Sequence, residues 1–276
     1  MQRYLIKKIK GMPATDGAGV ELVRVIGQPA LNMLDPFLLL DAFRSDNADD
    51  YIAGFPAHPH RGFETVTYLL NGRMRHQDNA GHEGVIEPGG IQWMTAGRGI
   101  IHSEMPEQED GLLEGFQLWV NLPAKNKMDE PHYQEYAEEK IPSELRDGCK
   151  IRVISGTTSQ GTSGPVVQPL TQPLYLDISL KPGQSFVETV QSTHNAFIYG
   201  IEGETRIPDA TQNVQGIAKD QLAILSMGDS VTLTAGTQGS RFLFISGQPL
   251  NEPVARGGPF VMNTEQEVRQ AFSDYR

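Results

Sequence analysis

The sequence predicts an all-β protein made of two antiparallel β-barrels and a short C-terminal helix. Short runs of β-branched and aromatic residues alternate with turn-forming residues, and the 276 residues include 29 glycines and 18 prolines. Two blocks of sequence in the first half recur in the same order in the second half, which indicates a duplicated domain. The chain is long enough to bury two cores, and 38% of its residues are hydrophobic.

Local patterns predict the individual elements. An opening strand pair is expected within residues 1–30, and further strands are expected at residues 37–42, 65–70, 73–78, 91–94, 100–102 and 114–121. Asn71 and Gly72 form a strong hairpin signal, so we expect the strands on either side of them to pair with each other. Near the C-terminus, Thr264 and Glu267 match a capping box, which predicts a helix that starts at Thr264.

A polar segment at residues 124–148, rich in lysine and glutamate, predicts the connection between the two barrels. We expect a helical turn near residues 143–146 within it. The predicted domains are therefore an N-terminal domain at residues 1–135 and a C-terminal domain at residues 136–276.

Composition narrows the function classes. The formal net charge of −11 disfavours direct binding to nucleic-acid phosphates. The single cysteine, Cys149, cannot form an intramolecular disulfide and fits a reducing compartment. The N-terminus lacks the apolar region of a signal peptide and no apolar run is long enough to span a membrane, so we expect a cytoplasmic protein without membrane contact. Two barrels in one chain favour a monomer.

Two pairs of residues indicate a metal site: His58 with His60, and His102 with Glu104. Residues two apart on a strand point to the same face, so each pair aims two ligand groups at one point. Three imidazoles and a carboxylate suit a first-row transition metal. The alternative is a set of surface histidines and a polar pair at a strand end. Glu64 could be a fifth ligand, an orienting neighbour of the metal ligands or a salt-bridge partner.

The other histidines lack a partner two residues away, and we predict that they lie in loops or in the core: His76, His82, His132 and His194. The repeat suggests that only one barrel holds a metal. Residues 66–72 resemble residues 197–203, and residues 93–97 resemble residues 232–236. Transferred by these offsets, the four ligand positions fall on residues that form no ligand set: Thr189, Gln191, Arg241 and Leu243.

Two long motifs, at residues 58–66 (HPHRGFETV) and 92–106 (QWMTAGRGIIHSEMP), resemble the pirin family of the cupin superfamily. The resemblance implies a bicupin fold and one divalent metal in the first barrel. Its ligands would be three histidines and one glutamate, which map onto His58, His60, His102 and Glu104. The resemblance favours Glu104 over Glu64 as the carboxylate ligand. Fe(II) is the preferred metal, with Mn, Co, Ni, Cu and Zn as alternatives.

The resemblance further implies an oxidoreductase similar to quercetin 2,3-dioxygenase, which cleaves a flavonol with O2. Glu104 is then the preferred catalytic base and Glu64 the second choice. One alternative is an iron-dependent redox sensor, or co-regulator, that binds a protein partner without turnover. A third reading is a cupin enzyme that acts on a different small molecule, since fold and metal do not determine the substrate.

Overall fold

A computed structural model describes all residues, 1–276, and confirms a mainly β protein with one C-terminal α-helix. The chain divides into two compact units. The first unit consists of Met12–Gly27, Phe37–Glu138 and Leu250–Arg276. The second unit consists of Met1–Gly11, Gln28–Pro36 and Glu139–Pro249. None of the helices combines the length and apolar character that a membrane-spanning helix requires.

The strands are numbered in chain order. Those up to residue 136 are β1 Leu5–Lys10, β2 Met12–Asp16, β3 Val20–Ile26, β4 Phe37–Ser45, β5 Phe55–His60, β6 Phe63–Asn71, β7 Met74–Asp78, β8 Glu83–Ile86, β9 Ile91–Thr95, β10 Ile100–Pro106, β11 Leu113–Asn121 and β12 His132–Tyr136. Those that follow are β13 Ser143–Arg146, β14 Cys149–Ser155, β15 Leu174–Leu180, β16 Ser185–Thr189, β17 Asn195–Pro208, β18 Val214–Ala218, β19 Gln221–Leu225, β20 Ser230–Gly247, β21 Ala255–Gly257 and β22 Phe260–Met262. The helices are α1 Glu265–Asp274 and three 3-10 turns at Ala48–Asp50, Ala124–Asn126 and Glu138–Lys140.

Two antiparallel sheets build the first unit. A seven-stranded sheet has the order β12-β9-β6-β11-β4-β3-β2, and a four-stranded sheet has the order β5-β10-β7-β8. One buried cluster joins Leu22, Phe43 and Leu69 of the large sheet to Met74 and Ile86 of the small sheet. The two sheets therefore enclose a common core, as expected of a barrel of the jelly-roll type.

A nine-stranded sheet forms the second unit. Its main order is β1-β19-β17-β20-β15-β14-β13, with β16 paired to β20 and β18 paired to β17. The long strands β17 and β20 bend where their register shifts, so that each has two halves with different neighbours. The sheet encloses a single large apolar cluster that includes Ile151, Ile178, Phe186, Ile198 and Phe244.

The ends of the chain do not follow the predicted domain boundaries of 1–135 and 136–276. Strand β1 pairs with β19, which places the first residues of the chain in the second unit. The hairpin of β21 and β22 and the helix α1 belong to the first unit. A single cut of the sequence cannot express this arrangement, because strand pairing across the full length of the chain decides it.

Two local predictions are wrong. Gly72 makes a turn with φ of 84°, but β6 pairs with β9 and β11 whereas β7 pairs with β8 and β10. Almost every residue of β6 is buried, so the strand needs neighbours on both sides within the large sheet. Residues 143–146 form β13 rather than a helical turn, in a hairpin with β14 closed by Asp147 and Gly148. The predicted C-terminal helix is confirmed, with Thr264 and Glu267 forming the capping box.

Candidate metal centre

Strands β5 and β10 bring the three histidines together. They pair antiparallel with His102 directly opposite His58, and His60 follows two residues along the same face of β5. The centroid of the His58 ring lies 4.6 Å from the centroid of the His60 ring and 4.6 Å from that of the His102 ring. One ring nitrogen from each of the three histidines lies within 4.8 Å of those of the other two. The structure thus assembles three of the four predicted ligands at one point.

Backbone carbonyls determine which ring nitrogen of each β5 histidine carries the proton. His58 Nδ1 lies 2.8 Å from the carbonyl oxygen of Pro56, and His60 Nδ1 lies 3.4 Å from that of Pro259. A carbonyl oxygen only accepts hydrogen bonds, so in both neutral rings Nδ1 carries the hydrogen and Nε2 carries the lone pair. The two Nε2 atoms face each other at 2.9 Å. Two lone pairs at this distance repel unless a cation lies against both of them.

Burial keeps His60 and His102 neutral. His60 is 3% exposed and His102 is 1% exposed. Burial, with repulsion from His102 and His58, lowers the pKa of His60 well below its usual value. Burial also lowers the pKa of His102 to about 4, and neither ring nitrogen of His102 has a hydrogen-bond partner. Unprotonated, unpaired and convergent nitrogens are what a divalent transition metal requires, so the residues fit such an ion.

Glu104 lies beside this group and is held by two donors. Its side chain is 3% exposed and lines the same cavity as His58 and His60. The hydroxyl of Thr67 donates to Oε1 at 2.7 Å, and Nε2 of Gln117 donates to Oε2 at 2.9 Å. The group of ligand atoms that all lie within 4.8 Å of one another contains the three histidines but no carboxylate oxygen of Glu104. Its ligation therefore stays a prediction, which these two orienting hydrogen bonds support.

Glu64 does not belong to this site. It lies three residues from Thr67 on β6, and residues an odd number apart point to opposite faces of a strand. Thr67 faces Glu104, so Glu64 faces away, where its carboxylate accepts a hydrogen bond from Thr95 at 2.7 Å. Even spacing from His58 and His60 would place Glu64 on their face of one continuous strand, but Gly62, with φ of 88°, breaks the alternation between β5 and β6. Glu64 is thus unsuited to act as the base.

A cavity of about 570 Å³ opens beside the histidines. This size is within the range for small-molecule sites. Its walls are largely apolar and include Leu22, Leu39, Phe43, Phe55 and Trp119. The rings of Phe63 and Trp119 also contact His60, with centroids 5.1 and 5.3 Å away. The centre thus lies at one side of a pocket able to hold a flat aromatic molecule.

Several residues that support the site were not predicted from the sequence. Thr67 and Gln117 orient Glu104, and the carbonyl of Pro259 orients His60. Thr67 and Gln117 are polar residues inside strands that are otherwise apolar, which is a usable signal, because a buried polar group needs a partner. Nothing in the local sequence links Pro259 to His60, because 199 residues separate them.

The second unit shows where the predicted repeat went out of register. Strand β7 pairs with β8 and β10, and the second half of β17 pairs with β18 and the first half of β20. The counterpart of β10 is therefore the first half of β20, in which Val231 lies opposite Glu188 of β16. Arg241 and Leu243 lie in the second half, which pairs with β15, so the predicted equivalence of these two residues is wrong. Glu188 itself is ion-paired with Arg146 at 2.6 Å.

Comparison with known proteins agrees with this architecture. The Pirin family model matches residues 19–120, and the model of the Pirin C-terminal cupin domain matches residues 175–276. A "Pirin-like protein" of Caulobacter vibrioides is 51% identical over 276 residues, which cover 99% of this chain and 98% of the relative. A Pseudomonas aeruginosa protein named "Putative quercetin 2,3-dioxygenase" is 48% identical, with 100% of this chain and 98% of the relative covered.

A solved structure extends the comparison to the fold. The crystal structure named quercetin 2,3-dioxygenase from Acinetobacter baumannii superposes with a TM-score of 0.89 at 33% identity, covering 100% of this chain and 97% of that one. The two family models match two cupin domains within the chain, and the relatives cover nearly all of it. The chain belongs to the pirin family of bicupin proteins.

Proposed function

We propose that the protein is a metal-dependent dioxygenase of the quercetin 2,3-dioxygenase type, which opens the ring of a flavonol with O2. The metal would be held by His58, His60, His102 and Glu104 in the first unit, with Fe(II) as the preferred ion. The observation that carries the proposal is the pair of lone-pair Nε2 atoms of His58 and His60 facing each other at 2.9 Å beside an aromatic-lined cavity. The names of the relatives at 48% and 33% identity support the same reaction class.

The ligand set leaves room for the reactants. His58, His60, His102 and Glu104 would leave positions open to reactants on a six-coordinate metal, whereas a structural zinc site is closed. When bound, the metal would lower the pKa of a substrate hydroxyl, as it does for water. The apolar walls of the cavity hold the rings of the substrate and exclude bulk water from them.

Glu104 is placed to accept the proton of the substrate hydroxyl. The hydrogen bonds from Thr67 and Gln117 orient the two oxygens of this carboxylate. The Nδ1 atoms of His58 and His60 are directed at backbone carbonyls, so these nitrogens do not compete for that proton.

The test is turnover by protein of known metal content. Fe(II)-loaded protein is incubated with quercetin under O2, and quercetin loss and carbon monoxide release are followed against an Fe(II)-only control. We expect release of one carbon monoxide per quercetin consumed, over many turnovers per metal. No loss above the Fe(II) control, together with no carbon monoxide, would exclude quercetinase activity.

The turnover measurement, combined with two further measurements, separates this enzyme from the two alternatives. A sensor that binds a protein partner would show no turnover, and its capture of the partner would change between Fe(II) and Fe(III) protein. Consumption of another small molecule in a substrate screen under O2, with quercetin consumed only slowly, would instead indicate a cupin enzyme with a different physiological substrate.

A further inference from the structure

A second functional group, Arg256, faces the cavity that holds the histidines. Arg256 lies on β21 and lines the cavity together with His58, His60 and Glu104. Its Cζ lies 4.8 Å from the centroid of the Trp119 ring. The centroid of the same ring lies 5.3 Å from that of His60. One indole therefore contacts both a candidate metal ligand and a guanidinium, which places the guanidinium on the same side of the cavity as His60.

Arg24 and Arg256 both line the cavity, but only Arg24 is bonded to carboxylates. Arg24 makes two hydrogen bonds to the carboxylate of Asp41, at 2.9 and 2.7 Å, and a third to Asp16 at 2.6 Å. Arg256 forms no ion pair, and its one hydrogen bond goes from Nη1 to the carbonyl oxygen of Leu38 at 3.3 Å. A guanidinium has five N–H groups, so most of those of Arg256 stay available to a ligand.

Arg256 is the arginine of the cavity that forms no direct ion pair. Asp16 and Asp41 accept hydrogen bonds from Arg24, and Glu104 accepts from Thr67 and Gln117. Arg256 lies at the solvent-exposed side of the cavity, where Asp41 and Asp16 act on it electrostatically without bonding to it. Stacking on Trp119 and the bond to Leu38 hold this guanidinium in place, so little further ordering is needed when it binds an anion.

We propose that Arg256 determines substrate specificity by binding a carboxylate, so that the physiological substrate is an aromatic acid that also chelates the metal through oxygen atoms. This inference rests on the proposed function, because it assigns the substrate class of the same metal centre. A planar guanidinium matches a carboxylate through two parallel hydrogen bonds, which a neutral hydroxyl cannot reproduce. Quercetin has no carboxylate and would then be a substitute substrate that fills the apolar part of the cavity only.

A matched pair of small chelators tests the proposal through binding rather than activity. Kojic acid is a hydroxypyranone that chelates metals through its hydroxyl and ketone oxygens, and comenic acid is the same ring with a carboxylate in place of the hydroxymethyl group. Dissociation constants are measured by calorimetry without oxygen, on Fe(II)-loaded protein whose metal content has been determined. The proteins compared are wild type, Arg256→Gln and Arg269→Gln, the last of which removes the same charge from an exposed site on α1.

The wild type should bind comenic acid about tenfold more tightly than kojic acid. Arg256→Gln should lose this preference while its affinity for kojic acid stays within about twofold, and Arg269→Gln should keep the preference. Equal affinities in wild type, or a preference that survives in Arg256→Gln, would overturn the role of Arg256 and leave the proposed function standing. Failure of kojic acid to bind fully metal-loaded protein would overturn the open metal centre, and the specificity proposal would fall with it.

Discussion

His58 and His60 face each other through their Nε2 atoms, which lie 2.9 Å apart. The carbonyl oxygens of Pro56 and Pro259 accept from the opposite ring nitrogens, so neither Nε2 atom carries a hydrogen in the neutral ring. A cation that lies against both Nε2 atoms relieves the repulsion between the two lone pairs. This geometry argues against ordinary surface histidines and leads to the first prediction.

Replacing His60 by alanine should abolish metal binding. Loss of an orienting neighbour alone costs about 10- to 100-fold in metal affinity, and loss of a ligand costs at least as much. Elemental analysis of His60→Ala protein, purified in parallel with wild type, measures the outcome. Full metal occupancy in this variant would contradict the assignment.

The matched control is His194→Ala. His194 is also a buried histidine, at 3% exposure, but it lies in the second unit, where its backbone carbonyl accepts a hydrogen bond from Arg3. We expect its metal content to equal that of wild type. Loss of metal in both variants would mean that histidine removal acts through folding rather than through ligation.

Gln117→Leu tests whether Glu104 serves the metal. The variant removes the donor to Glu104 Oε2, so the carboxylate is held less firmly and metal affinity should fall about 10- to 100-fold. Gln215→Leu is a close control, because Gln215 donates from the same amide nitrogen to Asp209 at the same distance of 2.9 Å in the second unit. Competition with a chelator of known affinity gives both values. An unchanged affinity in Gln117→Leu would argue against Glu104 as a ligand.

The strands and the convergence of the three histidines were predictable for a shared physical reason. Strand periodicity places His58 and His60 on one face, and the same rule applies to His102, so the spacing alone indicated their convergence. The rule failed for Glu64, because the positive φ of Gly62 lies between it and His60 and changes the face on which later residues lie. Alternation is informative only within one uninterrupted strand.

Long-range pairing limited the rest. The partners of β1 and of the segment around Pro259 lie about 200 residues away in sequence, and no local pattern records such contacts. The repeat failed for a related reason. A match of five residues placed Trp93 of β9 against Thr232 of β20, whereas the pairing of β20 shows that this residue belongs to the counterpart of β10. The cavity contact between Arg256 and Trp119 also joins residues that are far apart in sequence, so no local pattern predicts it.

Lys127 should be a large contributor to the stability of the first unit. Its ammonium is 1% exposed and donates to the carbonyls of Gly62 and Val261, at 2.7 and 3.0 Å, and to Asn121 Oδ1 at 2.6 Å. Burial lowers its pKa to about 8, so the group still carries its charge at neutral pH. Lys127→Met removes the donor of three hydrogen bonds, although Asn121 Oδ1 keeps its bond from the Leu122 N–H, and should lower the free energy of unfolding by roughly 3 kcal/mol.

Urea unfolding of the first unit measures this loss, with Lys125→Met as the control. Lys125 is exposed and only two residues away, so its replacement should change the free energy of unfolding by less than about 0.5 kcal/mol. Metal affinity of Lys127→Met should also fall, because Gly62 lies two residues after His60 and Gly62 has a positive φ with no room for a side chain near Val261. Equal stability of the two variants would show that the three hydrogen bonds contribute little.

Cys149 provides a prediction on pH dependence. The thiol is 3% exposed, and burial raises its pKa from 9.0 to about 11. Since the folded pKa lies above the unfolded one, the folded state holds its proton more tightly. The stability that this pKa difference contributes to the folded state is present in full below pH 9 and is lost as the pH rises through about 11. Relative to Cys149→Ala, wild type should therefore lose stability between these two pH values, while below pH 9 the difference between the two proteins should stay constant.

Thiol reactivity checks the same cause independently. At pH 8 a thiol with a pKa near 11 is ionised to about one part in a thousand, and only the thiolate reacts. Native protein should therefore react with a thiol reagent at least about 100-fold more slowly than protein unfolded in urea at the same pH. Opening of the second unit exposes Cys149 and returns its pKa to the ordinary value, so the reaction rate should rise as urea approaches the unfolding midpoint. Fast reaction of the native protein at pH 8 would show that the thiol is neither buried nor raised in pKa.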